Sequence, residues 1–287
     1  MTADPTRTTC DPVRGGVSAQ AGPLLVALDI DGTVVDTRGR LSDRVRRAVR
    51  DVARSGVHVV LATGRDVNGA RPVLDRLGLD SGWIVCSNGA VVARFDPLLP
   101  NRYEIVEAVT FDTAPVLALL RAHLPDALYA VEEVGRGLRL SAPFPTGELD
   151  GDTRVVPFDE LAIPSSRVVV RSPDRSLEDF VALVERVGLR GVTLTVGWST
   201  WLDVAPEGVT KATGLETVRR ALDVDPSATL AVGDWSNDLD MFAWAGRSVA
   251  MGQGLPEVLA AADQITGSVT DDGLADVLEA LPPSTGG

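Results

Sequence analysis

Apolar residues along this chain gather into short unbroken blocks. Between the blocks lie longer stretches in which they recur every three or four positions. The blocks fall at residues 24–28, 59–62, 83–86 and 230–232. A short apolar run bounded by turn residues is how a strand buried on both faces reads. Residues 41–54 carry Leu41, Val45, Ala48, Val49 and Val52 at helical spacing, with Ser42 and Asp43 at the start and Ser55-Gly56 at the stop. Residues 66–77 repeat the helical pattern and end at Gly78. Strand, helix, strand, helix, strand predicts a parallel sheet covered on both faces.

After residue 90 the rhythm changes. A hairpin is expected over residues 91–95 and 103–106, around Asp96-Pro97 and Asn101. A helix over 113–123 follows, then strands over 128–131, 138–141 and 168–171. A helix over 177–187 and strands over 192–196 and 201–204 complete this α+β stretch. A helical pattern then runs from Lys211 to about Leu222, and the last apolar block restores the α/β rhythm. The expected organisation is a disordered N-terminal extension over 1–22, a core made of 23–89 with 205–287, and an inserted domain over 90–204.

The apolar blocks end in polar residues. The first ends in Asp29-Ile30-Asp31-Gly32-Thr33, the second in Thr63-Gly64-Arg65, and the last in Gly233-Asp234-Trp235-Ser236-Asn237-Asp238. In open α/β sheets the ligand site lies beyond the carboxyl ends of the strands. Asp29 and Asp31 are two apart, so an extended backbone points them the same way. Two close carboxylates repel unless a cation or a shared proton relieves them, and hard oxygen donors suit Mg²⁺.

These three segments, in this order and with Lys211 opening a helix, resemble the haloacid dehalogenase (HAD) superfamily of phosphohydrolases. The similarity begins at about residue 23 and spans nearly all that follows. Ser87-Asn88-Gly89-Ala90, the long segment before Lys211, and the tail with Val249-Ala250-Met251-Gly252, Ala262-Asp263 and Asp272-Gly273 resemble its Cof-type, sugar-phosphatase-like branch. That resemblance implies a Rossmann-like parallel-sheet core with an inserted α+β cap of the C2B type. Trp235 departs from it, a bulky residue where smaller or polar ones are usual.

The resemblance also implies roles. Asp29 would attack phosphorus and become an aspartyl phosphate. Asp31 would protonate the leaving oxygen and then activate water, its backbone carbonyl reaching Mg²⁺. Asp234 would bind the metal, with Asp238 behind it holding a metal-bound water or orienting Asp234. The metal set is thus Asp29, Asp31, Asp234 and Asp238. The amides of Ile30 and Gly64, the Thr63 hydroxyl, Lys211 and Asn237 would surround the phosphoryl group. Arg65 is expected in a structural ion pair or at the mouth. Read alone, Thr63 and Asp238 are equally helix caps and Lys211 a solvated surface residue.

Composition narrows the choices. A net charge of −13 argues against a nucleic-acid partner, while a metal ion can reverse the field locally for a small anionic substrate. Two cysteines, Cys10 and Cys86, make no disulfide framework. No apolar run reaches membrane-span length, and residues 1–22 lack the apolar centre of a secretory signal, so a cytoplasmic protein without membrane partners is expected. His58 and His123 read as strand-edge and surface residues, and Trp198 and Trp201 as packing more than as a sugar-stacking face. Arg136, Arg139 and Arg171 cannot be ranked as substrate contacts from sequence. A Mg²⁺-dependent phosphatase for a small phosphorylated metabolite, with sugar phosphates favoured, is the leading expectation. A phosphomutase and a non-catalytic phosphate-binding protein are the alternatives. Asp29→Asn is expected to abolish turnover while leaving the circular dichroism spectrum unchanged. Retained activity would remove Asp29 from the nucleophile's place.

Overall fold

A computed structural model describes residues 22–149, 151–197 and 199–282. The first expected elements form where the pattern puts them. Strand β1 is Leu25–Leu28, α1 is Asp43–Arg54, β2 is His58–Ala62, α2 is Val67–Leu77 and β3 is Gly82–Cys86. Local chemistry sets the helix ends. Ser42 Oγ accepts the Val45 amide at 3.0 Å and Asp66 Oδ1 the Gly69 amide at 3.0 Å. Val45, Ala48, Val49 and Val52 form the buried face of α1, each valine worth about 1.5–3 kcal/mol of transfer from water.

Strands β4 (Val91–Phe95) and β5 (Tyr103–Ala108) form the expected hairpin. They do not open the insert. They add antiparallel to β3, Trp83 facing Arg94 and Val85 facing Val92, and extend the core sheet. The turn at Ser87–Gly89 reverses the chain directly after β3, which leaves no room for a crossover and makes antiparallel pairing the short route. The core sheet therefore runs on past residue 89, where the sequence pattern suggested it would stop.

The insert holds β6 (Phe111–Asp112), α3 (Ala114–His123), β7 (Leu128–Glu133), β8 (Gly137–Leu140), β9 (Thr153–Val155), β10 (Pro164–Ser165), β11 (Val168–Arg171), α4 (Leu177–Val187), β12 (Val192–Val196) and β13 (Trp201–Pro206). Its six-stranded sheet has the order β12-β13-β11-β7-β8-β9, and β6 pairs with β10 separately. Tyr129, Val131, Val168, Val170, Leu202 and Val204 point from this sheet into one cluster with Leu117 and Leu120 of α3 and Phe180 and Leu183 of α4. The opposite face carries Glu132, Val169, Trp201 and Asp203. Short β9 and the two-residue β6 and β10 were beyond the reach of hydrophobic periodicity.

The chain returns to the core with α5 (Lys211–Ala221), β14 (Thr229–Gly233), α6 (Leu239–Trp244), β15 (Arg247–Ala250), α7 (Pro256–Ala261), β16 (Gln264–Ile265) and α8 (Gly273–Glu279). The full core order is β16-β15-β14-β1-β2-β3-β4-β5, with β16 to β3 parallel. One face packs on α1, α2 and α8, the other on α5, α6 and α7. The order reverses direction at β1, which lies between β2 and β14. Asp29 follows β1 at this switch point, where α/β sheets bind ligands.

Gly89 joins the two halves of the core. Its φ of +103° lies in the left-handed region, and a Cβ there would stand 1.9 Å from the Thr210 carbonyl oxygen, just before Lys211. Gly89→Ala is expected to destabilise the protein by more than about 3 kcal/mol, read from the urea midpoint, because both backbone and packing must give way. A change below about 1 kcal/mol would show that this close approach is dispensable.

Candidate active site

Lys211 is fully buried at the first turn of α5. Its Nζ donates to Asp29 Oδ1 at 2.5 Å and to Asp238 Oδ1 at 2.7 Å. Burial by itself would lower the lysine's pKa, but the charges of Asp238 and Asp29 outweigh it and hold the group protonated well above its usual range. Asp238 has both oxygens engaged, since Oδ2 accepts the amides of Asp234 at 2.9 Å and Trp235 at 3.0 Å. A carboxylate so occupied orients its neighbours better than it binds a metal directly. The Asp238 carboxylate closes the turn over Ser236–Asp238 from behind and gives no side-chain cap to α6, so the plain helix-cap reading of Asp238 does not hold.

Asp234, the residue after β14, has a different balance. Its Oδ2 accepts Gln253 Nε2 at 3.1 Å, and the same Nε2 donates to the Gly32 carbonyl at 2.6 Å. Its Oδ1 is buried with no hydrogen-bond partner. A Cβ on Gly32 would fall 2.1 Å from Asp234 Oδ2, so only glycine lets the β1 turn approach this carboxylate. Oxygens of Asp29, Asp234 and Asp238 lie within 4.8 Å of one another. Burial, then the charge of Asp238, pushes the Asp234 carboxyl up to about 7, with Gln253 pulling it back. Burial pushes Asp29 well up too, and Lys211 offsets this only in part. Three buried carboxylates against one ammonium leave an excess of negative charge. With one buried Asp234 oxygen left without a hydrogen-bond partner and only hard oxygen donors, the site fits a divalent cation.

Asp31 stands apart from this trio. Its half-exposed carboxylate pairs with Arg65, Nη2 to Oδ1 at 2.6 Å and Nε to Oδ2 at 2.8 Å. Of its two expected places, the ion pair is the one observed for Arg65. Thr63 is buried and its Oγ1 accepts the Arg65 amide at 3.2 Å, while Asp66, not Thr63, caps α2. Asn88 Oδ1 accepts Asn237 Nδ2 at 2.9 Å, and a Cβ on Gly64 would stand 3.2 Å from that oxygen. The Thr63-Gly64 segment and the Asp234–Asp238 segment thus meet at Asn88. Ile30 is buried beside Asp29, its carbonyl taking the amides of Val34 and Val35. The indole of Trp235 reaches the insert, Nε1 donating to the Val196 carbonyl at 3.2 Å.

Other residues lie away from this centre. His58 is an exposed first residue of β2, and His123 Nδ1 meets the Leu119 carbonyl on the surface of α3. Arg136 and Arg139 both pair with Glu133, and Arg171 pairs with Glu148. Cys86 is buried in the core, and burial raises its thiol well above the ordinary range. Trp201 packs edge-on against Phe144 and donates to Asp203. Cys10, Trp198 and residues 1–21 of the expected extension lie outside the described residues. Among the described residues no helix is long and apolar enough to cross a membrane. Sequence reasoning missed Gln253 and Glu132. Gln253 stands alone between two glycines and Glu132 reads as half of a Glu-Glu pair, and nothing local marks a glutamine that reaches back to the turn after β1.

The sequence pattern of haloacid dehalogenase-like hydrolases matches residues 26–120 and 163–278. A phosphoglycolate phosphatase of Haloarcula marismortui is 34% identical over 91% of this chain and 96% of its own. A 5-amino-6-(5-phospho-D-ribitylamino)uracil phosphatase of Bacillus subtilis is 28% identical over 88% of this chain and 94% of its own. Among solved structures, a HAD subclass IIB sugar phosphatase superposes with a TM-score of 0.74 at 21% identity, covering 89% of this chain and 97% of that one.

Removing the ammonium strands two buried carboxylates. Lys211→Ala in metal-free protein is expected to cost about 3–5 kcal/mol at neutral pH. Asp29, its pKa raised on folding, costs stability once ionised, and more so without Lys211. The deficit should therefore narrow as pH falls towards 3.8, the ordinary value of Asp29. A denaturant series across pH measures this, and a deficit independent of pH would contradict the charge argument.

Proposed function

The chain belongs to the haloacid dehalogenase-like hydrolases and is a phosphatase of that family, and we propose that it is a Mg²⁺-dependent one acting through an aspartyl-phosphate on a small phosphorylated metabolite, with sugar phosphates the favoured class. The observation that carries this reading is the buried Asp29–Lys211–Asp238 arrangement beside the unpartnered Asp234 oxygen at the sheet's switch point. Asp29, Asp234 and the Asp31 carbonyl would hold the ion, with Asp238 fixing the Asp234 loop. The ion would neutralise the charge that otherwise keeps a carboxylate from a phosphate.

Lys211 holds Asp29 Oδ1, which leaves Oδ2 to form the bond to phosphorus. The bond from phosphorus to the leaving oxygen breaks as Asp31 gives that oxygen its proton. Asp31 then takes a proton from water, the water oxygen bonds to phosphorus, and the Asp29–phosphorus bond breaks to release phosphate. For this, Asp31 has to leave Arg65. The Asp31 carboxylate is half-exposed, so water can take the place of the guanidinium as it turns. Thr63, the Gly64 amide, Asn237 and Lys211 would donate to the equatorial oxygens.

The polar inner face of the insert, with Arg167 and Asp203, supports a hydroxyl-bearing leaving group. We place the protein in the cytoplasm, in line with its two-cysteine composition. Phosphate release from a panel of phosphorylated sugars, glycolate and glycerate esters and nucleotide precursors, with and without Mg²⁺, tests the reading. Asp234→Ala should abolish turnover or raise the Mg²⁺ requirement at least tenfold. An unchanged Mg²⁺ response would refute its ligand role, and release without added metal after chelation would refute the metal dependence.

A further inference from the structure

The Ser87 hydroxyl donates to Glu132 Oε2 at 2.5 Å, linking the core to the insert. Both residues are buried, Ser87 at 0% and Glu132 at 1% exposure. A carboxyl in such a place is retained only with specific partners. Arg167, opposite Glu132 across the β7–β11 ladder, gives its Nε to Asp203 Oδ1 at 2.5 Å. Asp66 from the start of α2 and Cys86 from β3 also face the group and add no positive charge. Burial pushes Glu132 up to about 7, so the neutral form is within reach and an amide is a fair substitute.

The partner of Glu132 sits in a demanding turn. Ser87, Asn88 and Gly89 have φ of 51°, 53° and 103° in succession. The Ser87 amide donates to the Arg65 carbonyl at 2.8 Å and the Asn88 amide to the Thr63 carbonyl at 3.0 Å. Asn88 in turn receives Asn237. A chain of contacts therefore runs from Glu132 in the insert through Ser87 and Asn88 to both loops that would surround the phosphoryl group.

We propose that Glu132 is a positioning residue: by holding the Ser87 hydroxyl it fixes the turn that sets Asn88, so the Thr63-Gly64 and Asn237 donors are in register while the insert sits over the core sheet. The proposal rests on the phosphatase reading above. Misplaced donors should reduce turnover more than ground-state binding.

The test is steady-state hydrolysis of p-nitrophenyl phosphate with Mg²⁺ by wild type, Glu132→Ala, Glu132→Gln, Ser87→Ala and the double alanine variant, each checked for folding by circular dichroism. Glu132→Ala and Ser87→Ala should each lower kcat about tenfold or more, with KM within about threefold. The double variant should lose no more than either single one. Glu132→Gln should recover kcat to within about threefold of wild type, because its carbonyl still accepts the hydroxyl. If Glu132→Ala does not fold, Ser87→Ala and Glu132→Gln carry the comparison. Single variants within twofold of wild type in kcat, losses that multiply in the double variant, or a glutamine variant no better than alanine would each overturn the proposal. Absence of any turnover by wild type would instead remove the phosphatase reading, and this inference with it, before variants are compared.

Discussion

One ammonium group organises this molecule. Lys211 Nζ lies between Asp29 and Asp238 with no access to water. A buried charge is tolerable only when its partners meet it at close range. That condition fixes three separate pieces of chain: the end of β1, the first turn of α5, and the turn after β14. The Asp238 carboxylate passes the constraint on to the amides of Asp234 and Trp235. The start of α5 can come this close only because Gly89 and Gly214 face one another without side chains. The geometry of the centre and the packing of the core are thus one requirement.

Much of this was legible in sequence, for a physical reason. Strands buried on both faces must be continuously apolar, so Leu25–Leu28 and Thr229–Gly233 stand out, and the polar residues that end them mark the ligand-binding edge. Helix stops such as Gly78 are equally local. What could not be read was set by distant partners. Whether the hairpin of β4 and β5 joins the core sheet or the insert depends on which edge lies open, a property of the assembled sheet. Gln253 carries no signal because its work is to bridge Gly32, Asp234 and Val269, three segments far apart in the chain. Asp31 was read for its spacing from Asp29, yet its carboxylate turns to Arg65.

The two sheets divide the labour by polarity. The core sheet buries both faces and presents function only at its ends. The insert's sheet buries one face on α3 and α4, and on its other face buried charged residues are held by specific partners, Glu132 by Ser87 and Arg167 by Asp203. Trp235, inside the Asp234–Asp238 segment, bonds across to the insert. A residue that breaks with the usual pattern there adds a tie between the centre and its cover.

The order of strands has a consequence for how the chain comes off the ribosome. Leu25 pairs with His58 on one side and with Thr229 on the other. When β1 to β5 have been made, the most apolar strand of the protein has one flank satisfied and the other bare. It stays bare while the whole insert and α5 are synthesised. An unpaired apolar strand invites pairing with other chains, and such long-range closure is slow. The insert, whose own strands are closer neighbours in sequence, can condense in that interval. The carboxylate cluster around Lys211, drawn from both sides of the gap, would then be among the last parts of the molecule to exist.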